Sequence, residues 1–131
     1  MLVVEDDDLI CQLTVEALEA AGFRAVGTGS AADALRILQA DPKWDAILID
    51  IVLVDRTRPA GPGEPSRTED GYELGETVHR RWPGIKILYS TGYADRLAPR
   101  VGEARGPMLL KPYNETMLVE TVQTALQGFA L

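Results

Sequence analysis

The feature that most constrains this chain is a run of four apolar residues, Ala46-Ile47-Leu48-Ile49, with Asp45 before it and Asp50 after it. The run is too short for a stable helix. Unbroken apolarity over four residues, without alternation, is the pattern of a strand buried on both faces. Such strands belong to parallel sheets, whose crossover connections lay helices over both sides. The rest of the sequence supplies the parts. Leu2-Val3-Val4, Arg24 to Thr28, Ile85 to Tyr89 and Met108-Leu109-Leu110 are further strand-type segments. Helical spacing joins Ile10, Leu13, Thr14, Ala17, Leu18 and Ala21, then Ala34, Leu35, Ile37 and Leu38, then Tyr72 to Arg81, and finally Met117, Leu118, Thr121, Val122 and Ala125. Ser30 and Asn114 are suited to N-caps, Gly22 and Gly128 to helix ends, and Asp41-Pro42 to a stop. Strand-then-helix order, repeated, predicts right-handed crossovers and a doubly wound α/β domain with a five-stranded parallel sheet and helices on both faces. At 131 residues the chain is sized for one such domain, 1–131.

In sheets of this kind ligands bind beyond the carboxyl ends of the strands, so the residues just after each strand are where chemistry is expected. After the first strand stand Glu5, Asp6, Asp7 and Asp8; after the third, Asp50; after the fourth, Ser90-Thr91-Gly92; after the fifth, Lys111-Pro112. Close carboxylates repel one another, and a hard divalent cation with oxygen ligands relieves the repulsion. Magnesium suits such a rim, because it binds through one or two carboxylates and keeps several waters. Each residue alone has a plainer reading. Asp7 and Asp8 fit better as a solvated cap of the first helix, where negative charge is favourable; Glu5 and Asp6, directly on the strand end, fit better as ligands. Asp50 can end a strand, Thr91 can cap a turn and Lys111 can be a surface lysine. All of them falling by chance at one edge of one sheet is the less economical reading.

The net charge of −7 argues against a nucleic-acid partner, since phosphate binding needs clustered Lys and Arg. Apolar runs are too short to cross a bilayer, and Glu5 interrupts the opening apolar stretch as no signal peptide would, so a cytoplasmic protein without membrane contact is expected. The single Cys11 reads as a small packed side chain, the lone His79 as a helix-surface residue, and no Cys/His cluster has zinc-like spacing.

Five segments together are similar to the response-regulator receiver family of bacterial two-component signalling: Leu2-Val3-Val4-Glu5-Asp6-Asp7, Ala46-Ile47-Leu48-Ile49-Asp50-Ile51-Val52-Leu53, Asp70-Gly71-Tyr72-Glu73-Leu74, Ser90-Thr91-Gly92-Tyr93-Ala94 and Leu110-Lys111-Pro112-Tyr113. The resemblance covers nearly the whole chain, and the order and spacing of the segments carry it. It implies a flavodoxin-like sheet of order 2-1-3-4-5 and a phosphoacceptor at Asp50. It implies Mg2+ held by Glu5, Asp6, Asp50 and the main-chain carbonyl of Val52. Thr91 would bind a phosphoryl oxygen, Lys111 would pair with the phosphate or with Asp50, and the Lys111-Pro112 bond is a candidate cis peptide. The implied donor is a histidine kinase or histidine phosphotransfer protein. The output would pass through phosphorylation-dependent contacts with a downstream protein, a covalently linked domain or a second copy of the chain. The implied protein is not an enzyme acting on external substrates. It is either a stand-alone receiver or part of a hybrid kinase or larger regulator.

Two departures from the family pattern stand out. The segment 55–69, rich in Pro, Gly and charge, is longer than the usual loop and is expected to be a flexible insertion, either a docking flap using Arg56, Arg58 or Arg67 or a tolerated surface elaboration. The strand position that usually carries a switching aromatic is Met108, and Tyr93 is the candidate to supply the missing ring, giving Thr91, Tyr93 and Met108 as the switch set. The segment 94–106, with Pro99 and Gly102, is expected to form a short or loosely held helix responsive to phosphorylation. Two rival functions fit the same residues less well. A magnesium-dependent phosphohydrolase would carry a general acid two residues after the nucleophile, where this chain has Val52. A pseudo-receiver serving only as an interaction module is disfavoured by the intact Glu5, Asp6, Asp50, Thr91 and Lys111.

Overall fold

A computed structural model of the chain describes residues 1–54, 61–63, 68–92 and 105–127. Its elements run β1 (Leu2–Val4), α1 (Asp8–Ala20), β2 (Val26–Thr28), α2 (Ala31–Ala40), β3 (Ala46–Asp50), β4 (Val52–Val54), β5 (Thr68–Asp70), α3 (Gly71–Arg81), β6 (Lys86–Thr91), β7 (Met108–Leu110) and α4 (Glu115–Leu126). The main sheet has five strands in the order β2-β1-β3-β6-β7, every neighbouring pair parallel. Counting its own strands in chain order, this is the 2-1-3-4-5 arrangement expected from the sequence.

Side chains alternate across a strand, and here the alternation divides the core into two layers. Leu2, Val4, Ile47, Ile49, Ile87 and Tyr89 face α2 and α3, where they meet Ala34, Leu38, Leu74 and Val78. Val3, Leu48, Leu88 and Leu109 face the other way, against Leu18 of α1 and Leu118, Val122 and Ala125 of α4. A fully buried Leu, Ile or Val contributes roughly 1.5–3 kcal/mol by leaving water, so the sheet centre, β3 with its neighbours β1 and β6, carries most of the burial. Helix starts follow the capping residues. Asp7 Oδ1 accepts from the Ile10 amide at 3.0 Å, Ser30 Oγ from Asp33 at 3.1 Å, Asp70 Oδ1 from Tyr72 at 2.8 Å and Asn114 Oδ1 from Met117 at 2.8 Å. Gly22, just beyond α1, has φ +96°, a conformation that glycine adopts without strain.

Three stretches differ in extent from expectation. β2 begins at Val26 rather than Arg24, because its neighbour among the described strands, β1, begins at Leu2, which is the register partner of Val26. β6 starts at Lys86 because the Ile85 amide is turned back to the Trp82 carbonyl at 3.0 Å, and it runs past Tyr89 to Thr91, held by the pairs Asp50↔Ser90 and Thr91↔Leu110. The third difference is the expected flexible stretch 55–69: its last two residues, Thr68 and Glu69, belong to β5, which pairs antiparallel with β4 in the register Val52↔Asp70 and Val54↔Thr68. The apolar run Val52-Leu53-Val54, with a β-branched valine at each end, favours a strand, Leu53 is fully buried, and closing a longer loop costs only ~0.6 kcal/mol per doubling of its length. Residues 55–60 and 64–67, with Arg56, Arg58 and Arg67, lie outside the described residues, as do Tyr93, most of 94–106 and Gly128.

Candidate functional site

Register brings the strand ends together. Val4 pairs with Ile49, which sets Glu5 level with Asp50. Asp50 pairs with Ser90, and Thr91 pairs with Leu110, one residue before Lys111. Backbone bonds extend the edge: the Glu5 amide donates to the Thr28 carbonyl at 3.0 Å, and the Lys111 amide to the Thr91 carbonyl at 2.8 Å. Among the described residues the buried polar side chains are Glu5, Asp50, Ser90 and Thr91 at this edge, and Thr14 on α1. Asp6 is half-buried.

Three carboxylates and one ammonium meet here. Lys111 Nζ donates to Glu5 Oε2 at 2.7 Å and to Asp50 Oδ2 at 2.9 Å. The other Asp50 oxygen, Oδ1, accepts from the Val52 amide at 3.1 Å, and Glu5 Oε1 accepts from the Asp7 amide at 3.2 Å. Both carboxylates are therefore oriented on each of their oxygens. Burial, reinforced by the Asp50 charge, pushes the Glu5 pKa up to about 7 despite the Lys111 hydrogen bond. For Lys111 burial opposes the charge, but the bonds and attraction of Glu5 and Asp50 outweigh it, so its pKa is raised and it stays an ammonium. Glu5, Asp6 and Asp50 each present an oxygen within 4.8 Å of the others'. One ammonium does not balance three carboxylates, and a hard divalent cation fits that all-oxygen donor set.

Each sequence-predicted residue can be placed. Glu5, Asp6, Asp50 and Lys111 converge, with Lys111 on both Asp50 and Glu5 rather than on Asp50 alone. Thr91 ends β6 and is fully buried; Val52 opens β4, half-buried, two residues past Asp50. The Lys111–Pro112 peptide is cis. Asp7 caps α1 and Asp8 sits in its first turn, as their plainer reading held; His79 is exposed on α3. Half-buried Met108 pairs in register with Tyr89, whose ring occupies the same layer. Thus the aromatic beside Met108 among the described residues is Tyr89, a residue the sequence suggested only as strand core. Its ring lies 5.1 Å from that of Tyr72, and its hydroxyl accepts from the Arg105 amide at 3.3 Å. Gly71 was also underread: a Cβ there would lie 2.2 Å from the Asp50 carbonyl oxygen, so α3 begins directly on the backbone of the candidate nucleophile.

A family model for the response regulator receiver domain matches residues 1–123. The chain belongs to that family. Relatives of the receiver include the response regulator receiver protein CpdR of Brucella abortus, 30% identical over 96% of this chain and 95% of that protein. An uncharacterized transcriptional regulatory protein of Bacillus subtilis, YbdJ, is 26% identical over 97% of this chain, which spans only 50% of that protein's length. In structure the receiver resembles a CheY-like receiver domain protein from Methanospirillum hungatei, with a TM-score of 0.77 and 26% identity over 96% of this chain and 91% of the other. No helix among the described residues is long and apolar enough to cross a membrane.

Proposed function

We propose that this receiver accepts a phosphoryl group on Asp50 from a phosphohistidine of a kinase or phosphotransfer protein, with magnesium held by Glu5, Asp6, Asp50 and the Val52 carbonyl. The observation that carries the reading is the Lys111 ammonium bonded to both Glu5 and Asp50 beside the three-carboxylate cluster. Phosphoryl transfer asks a protein for a positioned nucleophile and for positive charge on the equatorial oxygens. An Asp50 carboxylate oxygen attacks phosphorus as the P–N bond to the donor imidazole breaks, and the electron pair leaves with the ring nitrogen. Lys111 and the Thr91 hydroxyl pair with the phosphoryl oxygens, and bound magnesium supplies the remaining charge neutralisation. Water attack on phosphorus later returns the carboxylate and inorganic phosphate, so the chemistry is confined to the domain's own phosphorylation and dephosphorylation.

The donor's approach has a candidate surface. A groove of about 590 Å³ beside α1 and the start of α4 is lined by Ile10, Leu13, Ala17, Leu118 and Lys111. Of this lining, Leu13 is exposed. An apolar helical face of the donor seated there would bring a phosphohistidine to Asp50. Output passes through a partner protein or a linked domain, in keeping with a chain that spans half of YbdJ.

Intact-mass measurement after incubation with acetyl phosphate and magnesium tests the reading. The expected result is one added phosphoryl group that is lost on omitting magnesium and absent in Asp50→Ala. An unmodified wild-type protein would overturn it in favour of an interaction module without phosphorylation chemistry.

A further inference from the structure

Thr14 is the one buried polar side chain named above that lies away from the strand ends, at 3% exposure on α1. Threonine hydroxyls within helices commonly bond back to the carbonyl four residues earlier. Thr77, Thr121 and Thr124 do so here, onto Glu73, Met117 and Glu120. The Thr14 hydroxyl instead shares a 2.7 Å hydrogen bond with the hydroxyl of Tyr113, 99 residues away. Tyr113 is two residues past Lys111.

We propose that Thr14 and Tyr113 are positioning residues for Lys111, their hydroxyl–hydroxyl bond fixing the 111–113 turn against α1 so that the ammonium stays on Asp50 and Glu5. A lysine head on a four-carbon stem is placed only as well as its backbone is placed. Here the Lys111 backbone is held on both sides. Its amide donates to the Thr91 carbonyl at 2.8 Å, and the Tyr113 hydroxyl is tied to α1. Helix α1 follows directly on the Glu5–Asp7 acidic turn, whose Asp7 caps it. The bond thus ties the segment bearing the ammonium to the element that follows the carboxylates. Thr14, Lys111 and Tyr113 also share the α1–α4 groove, so a docked donor would rest on the bond that places the ammonium.

The inference rests on the reading of Lys111 as a phosphoryl-oxygen ligand, and one set of variants separates the two. Phosphorylation rates are measured with acetyl phosphate at saturating magnesium, a small donor that needs no docking surface. Lys111→Ala is expected to be severely slowed. Tyr113→Phe and Thr14→Val, each removing one hydroxyl, are expected to be slowed by about three- to tenfold, the scale of one lost hydrogen bond. Because they break the same bond, the double variant is expected to be no slower than either single one. Thr14→Ser, which keeps the hydroxyl, is expected to restore the wild-type rate. Wild-type rates in Tyr113→Phe and Thr14→Val beside a slow Lys111→Ala would overturn the inference alone, and so would additive losses in the double variant. A wild-type rate in Lys111→Ala would overturn the reading of Lys111 itself. If Tyr113→Phe does not fold, the Thr14→Val and Thr14→Ser pair decides the matter.

Discussion

Lys111 sits between two buried carboxylates, and its removal leaves both without their ammonium. Breaking a buried ion pair from one side commonly costs about 3–5 kcal/mol. Glu5 moderates that cost, because burial already raises its pKa to about 7 and it can take up a proton. Lys111→Ala is therefore expected to lose about 1–3 kcal/mol at neutral pH, read from urea denaturation without magnesium. The same raised pKa sets a pH dependence. A carboxyl whose folded pKa of about 7 exceeds its ordinary value of 4.5 favours the folded state while protonated. In the metal-free domain that contribution is complete below pH 4.5 and is lost as the pH rises through 7. Magnesium needs the carboxylate, so its binding should weaken as the pH falls below 7 and should release a proton. Titration calorimetry at pH 6 and 8, in buffers of different ionisation heat, checks this. Affinity independent of pH in the wild type would contradict it, and Glu5→Gln should flatten the dependence.

At the scale of elements, the start of α3 and the end of β3 are in direct backbone contact. Gly71→Ala would place a Cβ 2.2 Å from the Asp50 carbonyl oxygen and 2.5 Å from the Ile51 Cα, both backbone atoms that do not yield easily. We expect a loss of about 1–3 kcal/mol in stability together with slower phosphorylation, whereas alanine at the exposed Gly84, which has open space around it, should change neither by much. On α1, Leu13→Glu is expected to slow transfer from a phosphohistidine donor while leaving the acetyl phosphate rate intact; equal loss with both donors would remove the groove from the donor's path. Most elements were legible in the sequence because their signals are local: apolar runs for β1, β3 and β7, and Asp7, Ser30 and Asn114 at helix starts. What was not legible depends on partners. The start of β2 is set by the first residue of β1, and β5 exists only because Val52–Val54 offers it an edge across a long loop.

Across the whole molecule, a parallel sheet gathers residues 5, 50, 91 and 111 at one rim, and this is why so small a set of strand-end residues is readable from the sequence. Their chemical types follow from position, but their pairings do not. The sequence offered Lys111 the phosphate or Asp50, whereas the ammonium also takes Glu5, and the Thr14–Tyr113 bond joins segments that no local pattern connects. Tyr89 lies beside Met108 from the neighbouring strand, a contact set by register rather than by any local pattern. Because a cation bound to the folded rim alone stabilises the whole domain, magnesium at a hundred times its dissociation constant should add about 2.7 kcal/mol of stability. Thermal melts should show that gain in the wild type and a much smaller one in Asp6→Ala. The most direct measurement is the location of the phosphoryl group. After treatment with acetyl phosphate and magnesium, borohydride converts an aspartyl phosphate to homoserine, which peptide mass mapping places on the chain. Homoserine at position 50 alone is the predicted result; homoserine at another acidic position, or none at all, would contradict Asp50 as the phosphoacceptor.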